Sequence, residues 1–99
     1  MVNNGMRAIH PGEILREEFL SPLGMSANKL AIHLSIPAPR INDVVREKRG
    51  ISTDTALRLA RFFDTTPEFW VNLQTAYDLK NAKAEHGREI EQNIRPLAA

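Results

Sequence analysis

Lysine and arginine crowd one stretch of this chain. Between Lys29 and Arg49 stand five basic residues (Lys29, Arg40, Arg46, Lys48, Arg49) and two acidic ones (Asp43, Glu47), although the formal net charge of the whole is only +1. A cationic cluster in an otherwise balanced chain is the electrostatic footprint expected for a polyanion, and a solvated helix face can look the same, so spacing must decide. The arginine fork of Arg40 matches the O6 and N7 acceptors of guanine, and Asn42 and Ser35 are further polar candidates for a base edge. Arg46, Lys48 and Arg49 fall later, where contacts to phosphate would set register and affinity without reading sequence.

Other chemistries find no support. His10, His33 and His86 are far apart with neither a His-x-x-x-His pair nor a cysteine, so no metal site and no cofactor are expected. Glu17 and Glu18 are adjacent, and adjacent helical side chains diverge by about 100°. Serine, histidine and aspartate occur outside any nucleophile-elbow or phosphate-loop context. The chain is not expected to be an enzyme.

The elements that would position the basic cluster are helical. "PGEILREEFL" opens on Pro11 and places Ile14, Leu15 and Phe19 on one face, with Pro22 and Gly24 ending it. Ser26 is an N-cap for "ANKLAIHL", whose Ala27, Leu30, Ala31 and Leu34 fall at i, i+3, i+4, i+7. Ile41, Val44 and Val45 mark a third helix. Pro37 and Pro39 precede it, and proline is tolerated only where the first turn's N–H groups have no acceptor. The start is therefore expected near Pro39, with Ala38 as the half-in residue and Arg40 projecting from the first turn. Ser52 caps "TDTALRLARFF", and Thr66 with Pro67 opens a fifth helix bearing Phe69, Trp70, Leu73 and Tyr77.

Strand periodicity is nearly absent, so the fold class expected is all-α. Helices two and three, joined around "SIP", fit a helix-turn-helix, in which the second helix enters the DNA major groove. Trp70 reads first as core, yet helix five carries more apolar bulk than one inner face needs. Trp70, Leu73 and Tyr77 are accordingly expected to pair with the same helix of a second chain, making a two-fold homodimer suited to palindromic DNA.

Ninety-nine residues, 42% of them hydrophobic and 25% charged, suffice for one core. Residues 1–8 are expected to be flexible, 9–80 to form the helix-turn-helix domain, and 81–99 a partly helical extension. With no cysteine, apolar span or basic-then-apolar leader, the expected location is the cytoplasm, away from membranes.

Three stretches, "HPGEILREEFLSPLGMS", "LAIHLSIPAPRINDVVREKRGIS" and "TALRLARFFDTTPEFWVNLQTAYDL", carry a resemblance. Through them the chain resembles the HigA/VapI branch of the XRE-type, lambda-repressor-like helix-turn-helix antitoxins. The resemblance implies a five-helix DNA-binding fold, a homodimer that represses its own operon, and inhibition of a RelE/HigB-like mRNA endonuclease toxin. It places the DNA face on Ser26, Lys29, Ala38, Pro39, Arg40, Asn42 and Arg46. Where this turn often carries glycine the chain has Ser35, and a left-handed serine costs about 1 kcal/mol. Candidate toxin-facing acids are Glu13, Glu17 and Glu18, ahead of Glu85, Glu89 and Glu91. A stand-alone XRE-type regulator would share every DNA-facing residue and lack only the toxin.

Overall fold

The computed structural model describes residues 7–97, and within them five helices and no strand. Helix α1 covers 11–23, α2 is Ala27–Leu34, α3 Ala38–Val45, α4 Thr53–Phe63 and α5 Pro67–Asn93. The flexible terminus expected at the start falls mostly outside the described residues. Side-chain caps explain most of the starts: Ser26 accepts from Lys29 N, Ser52 from Thr55 N and Thr66 from Phe69 N. α1 begins differently. His10 Nδ1 accepts from Gly12 N at 2.8 Å, so a neutral histidine does the work of the usual serine or aspartate.

α1 does not stop at Pro22. The proline has no N–H to donate and its ring would strike the carbonyl four residues back. The preceding Leu15–Leu20 segment is wound wider, with π-type turns in which Ser21 N reaches Arg16 O, and the helix passes through Pro22 to Leu23. Gly24, left-handed at φ 61°, ends it, and Met25 N then closes back on Leu20 O at 3.0 Å.

The core gathers one stripe from each helix: Leu15 and Leu20, Leu30 and Leu34, Ile41 and Val44, Leu59 and Ala60, and Trp70. Phe19 lies 5.0 Å from Trp70 and 4.8 Å from Phe63, ring centre to ring centre, so aromatic packing joins α1, α4 and α5. Trp70 has no exposed surface, and its indole N–H donates to Thr65 Oγ1 at 2.9 Å. α2 packs on α3 and α4, α3 also on α1, and α5 on α4 and α1. Twenty-seven residues make α5 about 40 Å long at 1.5 Å per residue, which accounts for the 52 × 25 × 24 Å shape. Its outer portion, from 82 onward, is nearly all exposed. No described helix is long and apolar enough to cross a membrane.

Candidate nucleic-acid interface

α2 ends on a left-handed Ser35 (φ 59°, ψ 44°), from which Ile36 N returns to Ala31 O at 3.1 Å. Ser35 therefore adopts the conformation that glycine takes most easily. Ile36 turns into the core and Pro37 is extended, so the connection is only residues 35–37. α3 starts one residue earlier than its pattern suggests. Pro37 is the half-in residue, Ala38 is already helical, and Pro39 occupies the second helical position. The bias of a pre-proline residue away from helix is overcome at Ala38, which packs against the core. Both missing N–H groups still fall where a helix has no acceptor for them, and Arg40 N bonds Pro37 O at 3.1 Å.

The sequence-predicted polar residues take distinct places on this frame. Ser26 and Lys29 stand at the start of α2, the end at which free backbone N–H groups favour an anion. Asn42 Nδ2 donates to Asn28 Oδ1 at 2.7 Å and to Ala38 O at 3.0 Å, tying α3 to α2. Arg40 Nη1 donates to Asp54 Oδ2 at 2.7 Å. Arg49 pairs with Asp43 at 3.3 Å, while Lys29, Arg46 and Lys48 are exposed and have no ion pair among the described residues. Arg40 and Arg49 line one shallow groove with Gly50, Ser52, Asp54 and Thr55. Ala38 and Pro39 fill the first turn of α3, Ser35 the turn before it.

Three residues outside the predicted set organise the site. Arg58 Nη1 donates to Leu34 O at 2.8 Å, satisfying an orphan carbonyl at the end of α2, and its Nε meets Asp54 Oδ2 at 2.8 Å. Arg16 on α1 does the same for α3, donating to Val45 O at 2.5 Å. Asp54 takes two guanidinium groups on one oxygen, and Arg58 first and Arg40 second hold its carboxyl below the usual carboxylate range. The four-residue spacing of Asp54 and Arg58 is a readable helix signal, but the pairing of either with α2 or α3 is not.

Of the helix-five residues expected at a dimer seam, Trp70 faces inward, whereas Leu73 and Tyr77 are half-buried. Trp70 is core, Leu73 packs against that core, and the Tyr77 ring meets His10 edge-on at 4.8 Å. They form the inner stripe of α5 and leave Phe69, Val71, Leu79 and Ile90 as its exposed apolar residues. The expectation that Trp70 joins a second chain is therefore corrected, because the same atoms already fill the chain's own interior.

No family model matches the sequence. Virulence-associated protein I of Dichelobacter nodosus is 58% identical over 96% of this chain and 86% of its own length. The antitoxin HigA of Pseudomonas aeruginosa, solved with the higBA promoter, superposes with a TM-score of 0.91 at 54% identity, covering 93% of this chain and all of that one. The chain belongs to the HigA family of helix-turn-helix antitoxins. Antitoxin GraA in complex with its operator gives a TM-score of 0.90 at 54% identity, each chain covered in full. In this HigA-family chain the same five helices carry Arg40 and Asn42 on the first turns of α3, the helix that a helix-turn-helix inserts into the major groove.

Proposed function

We propose that the chain is the antitoxin of a type II toxin–antitoxin pair. As a homodimer it binds a palindromic operator and represses its own operon, and it neutralises a RelE/HigB-like mRNA endonuclease. The observation that carries this reading is α3, started by Pro37, braced at its end by Arg16, and offering Arg40 and Asn42. The promoter and operator complexes of its relatives support the same use of the fold.

Arg40 reads a guanine, whereas Ser26, Lys29, Arg46, Lys48 and Arg49 meet phosphates. Arg40→Ala should weaken binding to the duplex upstream of the chain's own gene by about 1 to 3 kcal/mol and relax preference at one base position. Lys48→Ala should weaken every sequence alike. With four phosphate-facing cations per chain (Lys29, Arg46, Lys48 and Arg49), a dimer loses on the order of ten-thousandfold in affinity between about 50 and 200 mM salt. Equal loss on the upstream and a random duplex for Arg40→Ala would remove the base-reading role.

The second copy docks on the exposed apolar face of α5, through Val71, Leu79 and Ile90. Leu79→Asp should give a folded monomer with weakened operator binding, and monomeric behaviour of the unsubstituted chain at micromolar concentration refutes the dimer. For the toxin, α1 offers less negative charge than its sequence promises: Glu13 binds Arg7 through both oxygens and Glu17 binds Arg16, which leaves Glu18. Co-expression with the neighbouring small reading frame is the test. Persistent toxicity, with no complex recovered, would make the chain a plain repressor.

A further inference from the structure

We propose that Asp54 is a specificity-determining residue, a resting place on the protein that holds Arg40 until a guanine edge takes it over. The inference rests on the operator-binding reading and concerns how that binding discriminates. Asp54 opens α4 rather than lying on the recognition helix, and its Oδ2 accepts Arg40 Nη1 at 2.7 Å and Arg58 Nε at 2.8 Å. The two arginines are not equivalent. Arg58 is also anchored by its Nη1 to Leu34 O at 2.8 Å and Ser35 O at 3.4 Å, so it stays in place. Arg40 has no other bond from its guanidinium among the described residues.

When Arg40 swings away, Arg58 still compensates Asp54, and no carboxylate is left unpaired. Release is therefore easy, but it requires a replacement acceptor. A guanine offers two acceptors matched to the guanidinium fork, whereas a phosphate-only encounter with random DNA offers a looser exchange. Asp54 thus keeps Arg40 in a phosphate-only encounter and gives it up in the guanine-bound complex, where the broken pair is the cost set against the new contact. Arg49 and Asp43 lack this arrangement: they meet at 3.3 Å with no second cation on the carboxylate among the described residues.

The test measures Kd by fluorescence anisotropy on two duplexes, the one upstream of the chain's gene and a shuffled duplex of equal composition. The proteins are the full chain, Asp54→Asn, Asp54→Glu, Arg40→Ala and the Arg40→Ala/Asp54→Asn double variant. Asp54→Asn should tighten the upstream duplex by about two- to fivefold and the shuffled duplex by less than about twofold, the scale of one exposed ion pair, because only the upstream complex breaks the Arg40–Asp54 pair. Asp54→Glu should restore the unsubstituted ratio. In the Arg40→Ala background, Asp54→Asn should move both duplexes by one common factor, because only through-space charge remains. Equal shifts with Arg40 present, or a difference that persists without Arg40, would overturn the inference while leaving operator binding intact. An unsubstituted chain that cannot tell the two duplexes apart would instead overturn the operator reading and take this inference with it.

Discussion

Replacing Gly12 by alanine tests how α3 is seated. Gly12 lies in the first turn of α1, where the two helices come so close that an added Cβ would sit 1.8 Å from the Val44 carbonyl oxygen and 2.8 Å from its carbon. Ordinary contact begins near 3.4 Å, so the shortfall is about 1.6 Å. Both partners are helical backbone, and no rotamer change can relieve them. α1 and α3 must separate, loosening Leu15, Ile41 and Val44, all fully buried. Overpacking costs about 1 to 3 kcal/mol, here toward the upper end, while exchanging glycine for alanine in a helix returns about 0.5 to 1 kcal/mol. A net loss of about 2 kcal/mol, at about 4 to 8 °C per kcal/mol for a domain this size, lowers Tm by roughly 8 to 16 °C.

Gly24→Ala supplies the internal comparison. Gly24 has φ 61° but nothing among the described residues within 4 Å of an added Cβ, so only the left-handed penalty of about 1 kcal/mol applies. Thermal unfolding followed by far-UV circular dichroism ranks the two, and anisotropy on the upstream duplex reports whether α3 has moved. Gly12→Ala should melt lower than Gly24→Ala and bind more weakly even where fully folded. If Gly12→Ala melts as high as Gly24→Ala with unchanged affinity, α3 is not seated by this approach of backbones.

Ser35→Gly should raise Tm by several degrees, since glycine accepts φ 59° without the penalty of about 1 kcal/mol that serine bears; an unchanged or lower Tm counts against strain in the turn. Burial holds the His10 pKa below its ordinary value, so the unfolded chain takes up the proton first as pH falls. Stability from His10 is therefore complete above about pH 6.5 and is lost as pH drops from there through the lower folded value. Melting curves across that window should show a steeper acid loss for the unsubstituted chain than for His10→Gln, which keeps an acceptor for Gly12 N; equal slopes would mean that His10 is not buried neutral.

What could be read from the sequence is what is decided locally. Ser26, Ser52 and Thr66 announce their helices because each cap serves an N–H three residues on. The α3 start was legible to within one residue because two prolines leave a helix few places to begin. The inner stripe of α5 was legible as a stripe, but periodicity does not say whether Trp70 meets its own core or another chain. The capping role of His10 has no sequence signal because a cap through Nδ1 depends on a buried, neutral ring. Pro22 looked like a stop because sequence does not show that Leu15–Leu20 can widen to carry the helix through it. The contacts of Arg16 with Val45 and of Arg58 with Leu34 bridge 29 and 24 residues, a separation that leaves no local trace.

Those two arginines bear on how so short a helix would serve the proposed reading of DNA. α3 has eight residues, no side-chain N-cap, and only Ile41 and Val44 fully buried. Two apolar anchors one turn apart fix the helix against the core but leave it free to rock about the line joining them, and a displacement of one ångström at Arg40 would break the proposed bidentate fit to guanine. The remaining freedom is removed by groups from its neighbours. Gly12 admits the Val44 carbonyl, Arg16 holds Val45 O, and Asn28 holds Asn42 from α2. Arg58 fixes the end of α2 through Leu34 and Ser35, and with it the turn from which α3 departs. The precise seating of α3, on which the proposed reading depends, is thus a property of α1, α2 and α4. It follows that substitutions at Arg16 or Arg58, remote from any base edge, should reduce discrimination between duplexes as well as stability, whereas removal of an exposed phosphate-facing cation such as Lys48 should reduce affinity alone.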